Sequence, residues 1–154
     1  MSALFATVSD VQARFPDDAA LLCANESSRL PDWSRFAAAL SDVSMEIQIV
    51  LQARYTPARL AELDEESLGA LKIFAIDMAM YRVAVAWSRT TEQLKARYDL
   101  AITRLEGIAS GKKGALTFVD GAGAVDGVTS NASPGEALIV SNERQFTREN
   151  ARNW

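Results

Sequence analysis

Apolar side chains recur at three- and four-residue steps in two long stretches of the chain. The first stretch begins after the Pro-Asp pair at 31–32, which offers a stop and a helix cap, and continues to about Arg54. The second begins at Thr90 or Thr91 and closes at the Ser-Gly pair at 110–111. Each stretch therefore predicts an amphipathic helix with one face in the core. The apolar positions are Trp33, Phe36, Leu40, Val43, Ile47, Val50 and Leu51 in the first, and Leu94, Tyr98, Ala101, Leu105 and Ile108 in the second.

The stretch between these two, from Glu65 or Ser67 to Trp87, is apolar on nearly every side. A helix of this kind must be covered all round. It is therefore either the central helix of a small bundle or a helix that a neighbouring subunit partly buries. Asp77 and Arg82 interrupt the apolar pattern, and we predict that they form an ion pair, within the core or between subunits.

Shorter helices are predicted near the start of the chain. Thr7 and Asp10 have the spacing of a capping box, with Asp in place of Glu or Gln, and the helix they begin ends near Pro16. A second short helix is predicted from Asp17 to Cys23. The predicted fold class is therefore all-α: a small helical bundle with three long helices and one or two short ones.

A cluster of carboxylates lies where the central helix begins. Negative charge is favourable at the positive end of a helix dipole, and this explanation is preferred for the cluster. A cation site is the alternative interpretation. The cluster consists of Glu62, Asp64, Glu65 and Glu66.

The helical pattern ends near residue 111, so the sequence predicts a helical core at 1–111 and an extended arm at 112–154. Five of the eight glycines lie between residues 114 and 141. Such a segment loses much backbone entropy on ordering and offers few apolar side chains in return, so we expect it to order against a partner. Two short β-like runs, at 115–119 and 137–140, could pair as a hairpin or add to the sheet of a partner.

The last fourteen residues, SNERQFTRENARNW, are polar except for two aromatic side chains, and arginines recur in them at every fourth position. Aromatic and arginine side chains dominate interface hot spots, so the preferred interpretation is an anchor that docks into another subunit. A solvated tail is the alternative. The predicted docking residues of the arm are Phe118, Ile139, Phe146, Arg148 and Trp154.

Composition removes several classes of chemistry. The 154 residues include no histidine and one cysteine, so Ser-His-Asp and Cys-His nucleophiles and the commonest zinc ligand sets are absent. Cys23 lies in an apolar context and is predicted to be a buried, inert thiol. The net charge of −4 argues against a protein that coats nucleic acid. We expect no catalytic, cofactor-binding or metal-binding residues, and hence no enzyme.

Membrane association is not predicted either. The longest apolar stretch is interrupted by Lys72, Asp77 and Arg82, and the N-terminus lacks the pattern of a signal peptide. We therefore expect a protein that is soluble and cytoplasmic when made.

Five short motifs occur in an order that resembles the Mu-like phage family of small head-tail joining proteins. The resemblance covers nearly the whole chain. The matching positions are Thr7, Asp10, Val11, Arg14 and Phe15; Arg54, Tyr55 and Pro57; Asp77, Ala79, Tyr81 and Arg82; Arg97, Tyr98, Ala101, Leu105, Gly111 and Lys112; and Phe146, Thr147 and Arg148.

This resemblance implies a virion structural protein, a head-tail adaptor or connector in the neck of the particle. It would form a dodecameric ring under the portal protein and join the DNA-filled head to the tail or to a stopper or tail-terminator protein. An acidic lining would repel double-stranded DNA passing through the channel. During assembly the protein would lie in the host cytoplasm. The alternative function is a phage assembly chaperone or regulatory binding protein that never enters the virion.

Overall fold

Three long helices carry most of the structure, and three short ones are placed around them. The computed structural model describes residues 4–112 and 114–119 of the chain, and helices are its regular elements there. The predicted all-α fold class is confirmed. The helices are α1 (Val8–Arg14), α2 (Pro16–Leu22), α3 (Ser34–Leu51), α4 (Pro57–Leu60), α5 (Glu65–Ala86) and α6 (Glu92–Ala109).

Side chains just before α1, α5 and α6 explain where these helices begin. The capping box of α1 is complete, because Thr7 accepts a hydrogen bond from the amide of Asp10 and the Asp10 carboxylate accepts one from the amide of Thr7. Asp64 accepts from the amide of Ser67 at the start of α5, and Thr91 caps α6 in the same way. The acidic cluster thus supplies the cap and the first turn of α5, as the dipole interpretation predicts.

Helix α5 is the central helix of the bundle, because it packs against α3, α6 and α2. The central-helix interpretation is therefore confirmed, and burial of the exposed Leu68, Ile73 and Val85 by a neighbouring subunit stays a prediction. The apolar faces of α3 and α6 are buried largely as their spacing predicts. Fully buried side chains of the core include Phe36, Leu40, Ile47, Leu51, Leu71, Met78, Met80 and Leu105.

The short helix α4 is not predicted by the sequence pattern. It has only four residues, too few to show a hydrophobic period, and it is defined by local chemistry. Thr56 accepts a hydrogen bond from the amide of Arg59, and Pro57 occupies the first helical position. Helix α4 directs the chain from the end of α3 toward the start of α5.

The folded unit continues beyond the predicted boundary at residue 111. Leu116 and Phe118 are buried with the helices and belong to the same hydrophobic core. The helical core therefore includes part of what the glycine-rich composition indicates as arm. The β-like run at 137–140 lies outside the described residues.

Candidate interaction surfaces

Residues 114–119, here called the strap, are held by backbone hydrogen bonds to the connection before α5. The amide of Asp64 donates to the carbonyl of Thr117 (3.2 Å), and the amide of Val119 donates to the carbonyl of Glu62 (3.0 Å). Leu63 and Phe118 thereby form an isolated antiparallel bridge. The strap uses these backbone groups within its own chain, so they are not available for strand addition to a partner.

Side chains of the strap are held equally closely. The Phe118 ring is 2% exposed, its centroid lies 5.6 Å from that of Tyr55, and the Arg59 guanidinium lies 4.3 Å above it. The Thr117 amide donates to Oγ of Ser67 (2.8 Å), and the Thr117 hydroxyl donates to Asp64. This hydroxyl lowers the pKa of Asp64 below its usual range. The structure thus places Phe118, predicted as a docking residue, in the core of its own chain.

The end of α6 turns the chain into the strap. The amide of Lys112 donates to the carbonyl of Gly107, and the amide of Gly111 donates to that of Ile108, which together form a Schellman motif. Gly111 has a φ of +70°, in the region that favours glycine. Arg54 donates from Nη1 to the carbonyl of Ile108 (3.3 Å) and so places a positive charge at the negative end of the α6 dipole.

Within one chain, Asp77 and Arg82 do not pair, and a pair between subunits stays a prediction. Arg82 instead forms a salt bridge with Glu46 of α3. Positions five residues apart on a helix point about 140° away from each other, so the two charges face different neighbours.

The carboxylate of Asp77 instead interacts electrostatically with two arginines from other helices. Burial raises its pKa, while the positive charges of Arg97 and Arg14 act in the opposite direction. The guanidinium groups of Arg97 and Arg14 lie 5.0 Å and 5.7 Å from the centroid of the Phe15 ring. Three motifs that are far apart in the sequence therefore meet around α5.

Surface concavities lie beside α5. One lies between α3 and α5 and measures about 380 Å³. Its small side chains, Ala38, Ala39 and Ala86, are bordered by Trp87, on which the Arg35 guanidinium stacks at 3.6 Å. The sequence offered no signal for this stacking, because the two residues are far apart in the chain.

Another concavity, here called the N-terminal groove, lies between the start of the described chain and the first turns of α5. It measures about 490 Å³, and Gly69 and the exposed side chains of Leu4 and Leu68 line it. Lys72 bridges to Asp10 across the groove at 2.9 Å. The remaining lining residues are Phe5, Ala6, Thr7 and Glu65.

Cys23 is buried, as predicted, and burial raises the pKa of its thiol, which makes it a poor nucleophile. Residues 4–112 and 114–119 contain no group of three or more histidine, cysteine or carboxylate side chains placed to hold a metal ion. None of the helices formed by those residues is both long and apolar enough to cross a membrane.

Four predicted docking residues of the arm lie outside the described part of the chain: Ile139, Phe146, Arg148 and Trp154. Their assignment stays a prediction.

Comparison with known proteins agrees with the first four of the five motifs, which lie within the matched range. No curated protein matches the chain. The family model described as bacteriophage Mu, Gp36 matches residues 5–116, a range that contains all six helices and the buried Leu116. Because this match covers well over half of the 154 residues, the chain belongs to the bacteriophage Mu Gp36 family of phage proteins.

Proposed function

We propose that the chain is a head-tail adaptor, a structural protein of the virion neck that forms a ring under the portal protein. In this role it links the DNA-filled head to the tail, or to a stopper or tail-terminator protein, and it performs no catalysis. Membership of a phage family and the small all-α bundle are both compatible with this role.

The observation that carries the proposal is exposed apolar surface on each of the three long helices. A subunit of a closed ring contacts its neighbours through two different surfaces, so it needs apolar patches on more than one side. Large apolar side chains that remain exposed in the single chain suit such interfaces. They are Met45 and Ile49 on α3, Ile73 and Val85 on α5, and Leu100 on α6.

Charge supports the same role. The chain carries a net charge of −4, and an acidic channel wall repels DNA phosphates, so the duplex slides rather than binds. Portal, tail and neighbouring subunits are the partners of this proposal.

The test is to add tagged, purified protein to DNA-filled, tailless heads of the corresponding phage and to image the necks by electron cryomicroscopy. A new symmetric ring below the portal is the expected result, and its symmetry gives the copy number. Bare portals, with the protein bound to an unassembled component, would contradict the adaptor role and favour an assembly chaperone.

A further inference from the structure

The N-terminal groove has an apolar lining that none of the described residues covers. Leu4 is 58% exposed and Leu68 is 42% exposed, although both lie beside the buried ring of Phe5. Two carboxylates, Asp10 and Glu65, and the ammonium group of Lys72 share the lining, so the groove carries a net negative charge. An occupant should therefore be apolar in the middle and positively charged at its edges.

Gly69 in the wall of this groove indicates that something approaches α5 closely. It lies inside a regular helix, where glycine is less favourable than alanine. A β-carbon at this position would meet no atom within 4 Å. The fold of the described chain therefore gives no reason for a glycine here, whereas a close contact from outside the described residues does.

We propose that the N-terminal groove is the docking site of the C-terminal segment of this chain, residues 141–154. The inference goes beyond the adaptor role and does not depend on it, because it concerns where the C-terminal segment of this chain binds.

The path of the chain supports this occupant. The strap ends at Val119, whose amide is bonded to Glu62, close to the end of α5 that forms the groove. A further 35 residues follow, and an extended chain of that length spans roughly 100 Å. Both the groove of the same copy and that of a neighbouring copy are therefore within reach.

The chemistry of the segment also fits the groove. Phe146 and Trp154 are the large apolar side chains of residues 141–154, and flat aromatic rings can lie against a helix at a glycine. Arg144, Arg148 and Arg152 are available to the Glu65 carboxylate of the lining, since Asp10 is already paired with Lys72. The match combines an apolar centre with complementary charge.

The test is a cross-linking experiment on the full chain. Leu68→Cys is combined with Asn153→Cys, and a short bismaleimide is added to the purified protein. The buried native Cys23 should remain unmodified. The matched control combines Glu92→Cys with Asn153→Cys, because Glu92 is exposed beyond the other end of α5, roughly 30 Å from the groove.

We expect at least a five-fold higher cross-linking yield for the groove pair than for the control pair. A product within one chain indicates docking in the same copy, a product between two chains indicates docking in a neighbour, and either supports the proposal. Equal yields from the two pairs would overturn it. So would a cross-linked dimer formed by Leu68→Cys alone, since this would show the grooves of two copies facing each other.

Filling the groove provides a second test. Gly69→Trp should lower the cross-linking yield at least five-fold while helical circular dichroism stays unchanged. If that variant does not fold, Arg144→Glu with Arg148→Glu replaces it, because both positions lie outside the described core and should produce the same loss. An undiminished yield in a folded variant would exclude the groove as the docking site. The assay uses no phage heads, so its outcome is separate from that of the adaptor test.

Discussion

A β-carbon at Gly111 would lie 2.1 Å from Nη1 of Arg54. The guanidinium therefore occupies the space that a side chain at position 111 would need, while it donates to the carbonyl of Ile108. This relationship joins the end of α3 to the end of α6. Gly69 has open space instead, so Gly111 and Gly69 should respond in opposite ways to substitution by alanine.

Gly111→Ala should lower the free energy of unfolding by about 1–3 kcal/mol, because alanine is strained at positive φ and its methyl group displaces Arg54. Gly69→Ala is the matched control and should raise it by about 0.5–1 kcal/mol, because it adds helix propensity without a clash. Urea denaturation followed by circular dichroism measures both. Equal midpoints for the two variants would contradict the assigned role of Gly111.

Phe118→Ala should lower the free energy of unfolding by about 3–5 kcal/mol, because it empties a buried site between Tyr55 and Arg59. Val119→Ala should change it by less than about 0.5 kcal/mol, since Val119 is 78% exposed. Chemical denaturation of both variants makes the comparison. A Phe118→Ala variant as stable as the parent would show that the strap does not belong to the folded unit.

A chain that stops after residue 119 should melt at nearly the temperature of the full chain. One that stops after residue 112 should melt lower, because it lacks Leu116 and Phe118. Thermal unfolding followed by circular dichroism tests this difference. Identical melting curves for the two shortened chains would restore the predicted boundary at residue 111.

Asp10 should make the fold sensitive to acid. The Thr7 hydroxyl, followed by the Lys72 ammonium group, lowers the pKa of Asp10 from 3.8 to about 2. A depressed folded-state pKa contributes stability that is present above pH 3.8 and lost as the pH falls through about 2. Asp10→Asn should therefore be less stable at pH 7 and should lose less stability between pH 4 and 2. Parallel pH profiles for the two proteins would refute the assignment.

Asp77 should have the opposite effect on how the stability of the fold changes with pH. Burial raises its pKa in the folded state, so its favourable contribution is present below pH 3.8 and lost as the pH rises through the folded-state pKa. Asp77→Asn should therefore be more stable than the parent at pH 7, and the difference should disappear below about pH 3.5. Denaturant unfolding at a series of pH values measures this. A less stable variant at pH 7 would mean that Arg97 and Arg14 outweigh the burial of the carboxylate.

What the sequence predicted correctly depends on neighbours in the chain. The capping box at Thr7 and Asp10, the cap at Thr91 and the stop at Gly111 are each defined within a few residues, so their spacing alone indicates them. The amphipathic faces of α3 and α6 are likewise periodic. The fold class followed from these local signals.

Contacts between residues far apart in the chain could not be predicted from the sequence. The charge partner of Arg82 is Glu46 on another helix, and no spacing rule relates the two positions. The run around Phe118 has a β-like sequence that predicts pairing within the arm or with a partner, but it pairs with the connection at Leu63 and packs on its own chain. The N-terminal groove has only one sequence signal, the glycine inside α5, which becomes informative once the space around it is known.

The bridge between Leu63 and Phe118 determines how the molecule responds to force. The two bridged segments run antiparallel, and the chain continues beyond Val119 toward its C-terminus. A pull on the residues after Val119 therefore acts first on the hydrogen bond from its amide to Glu62 and on the buried Phe118 ring. The strap therefore acts as a mechanical anchor. Tension on the C-terminal end of the chain must pull Phe118 out of its buried site before the force reaches α6.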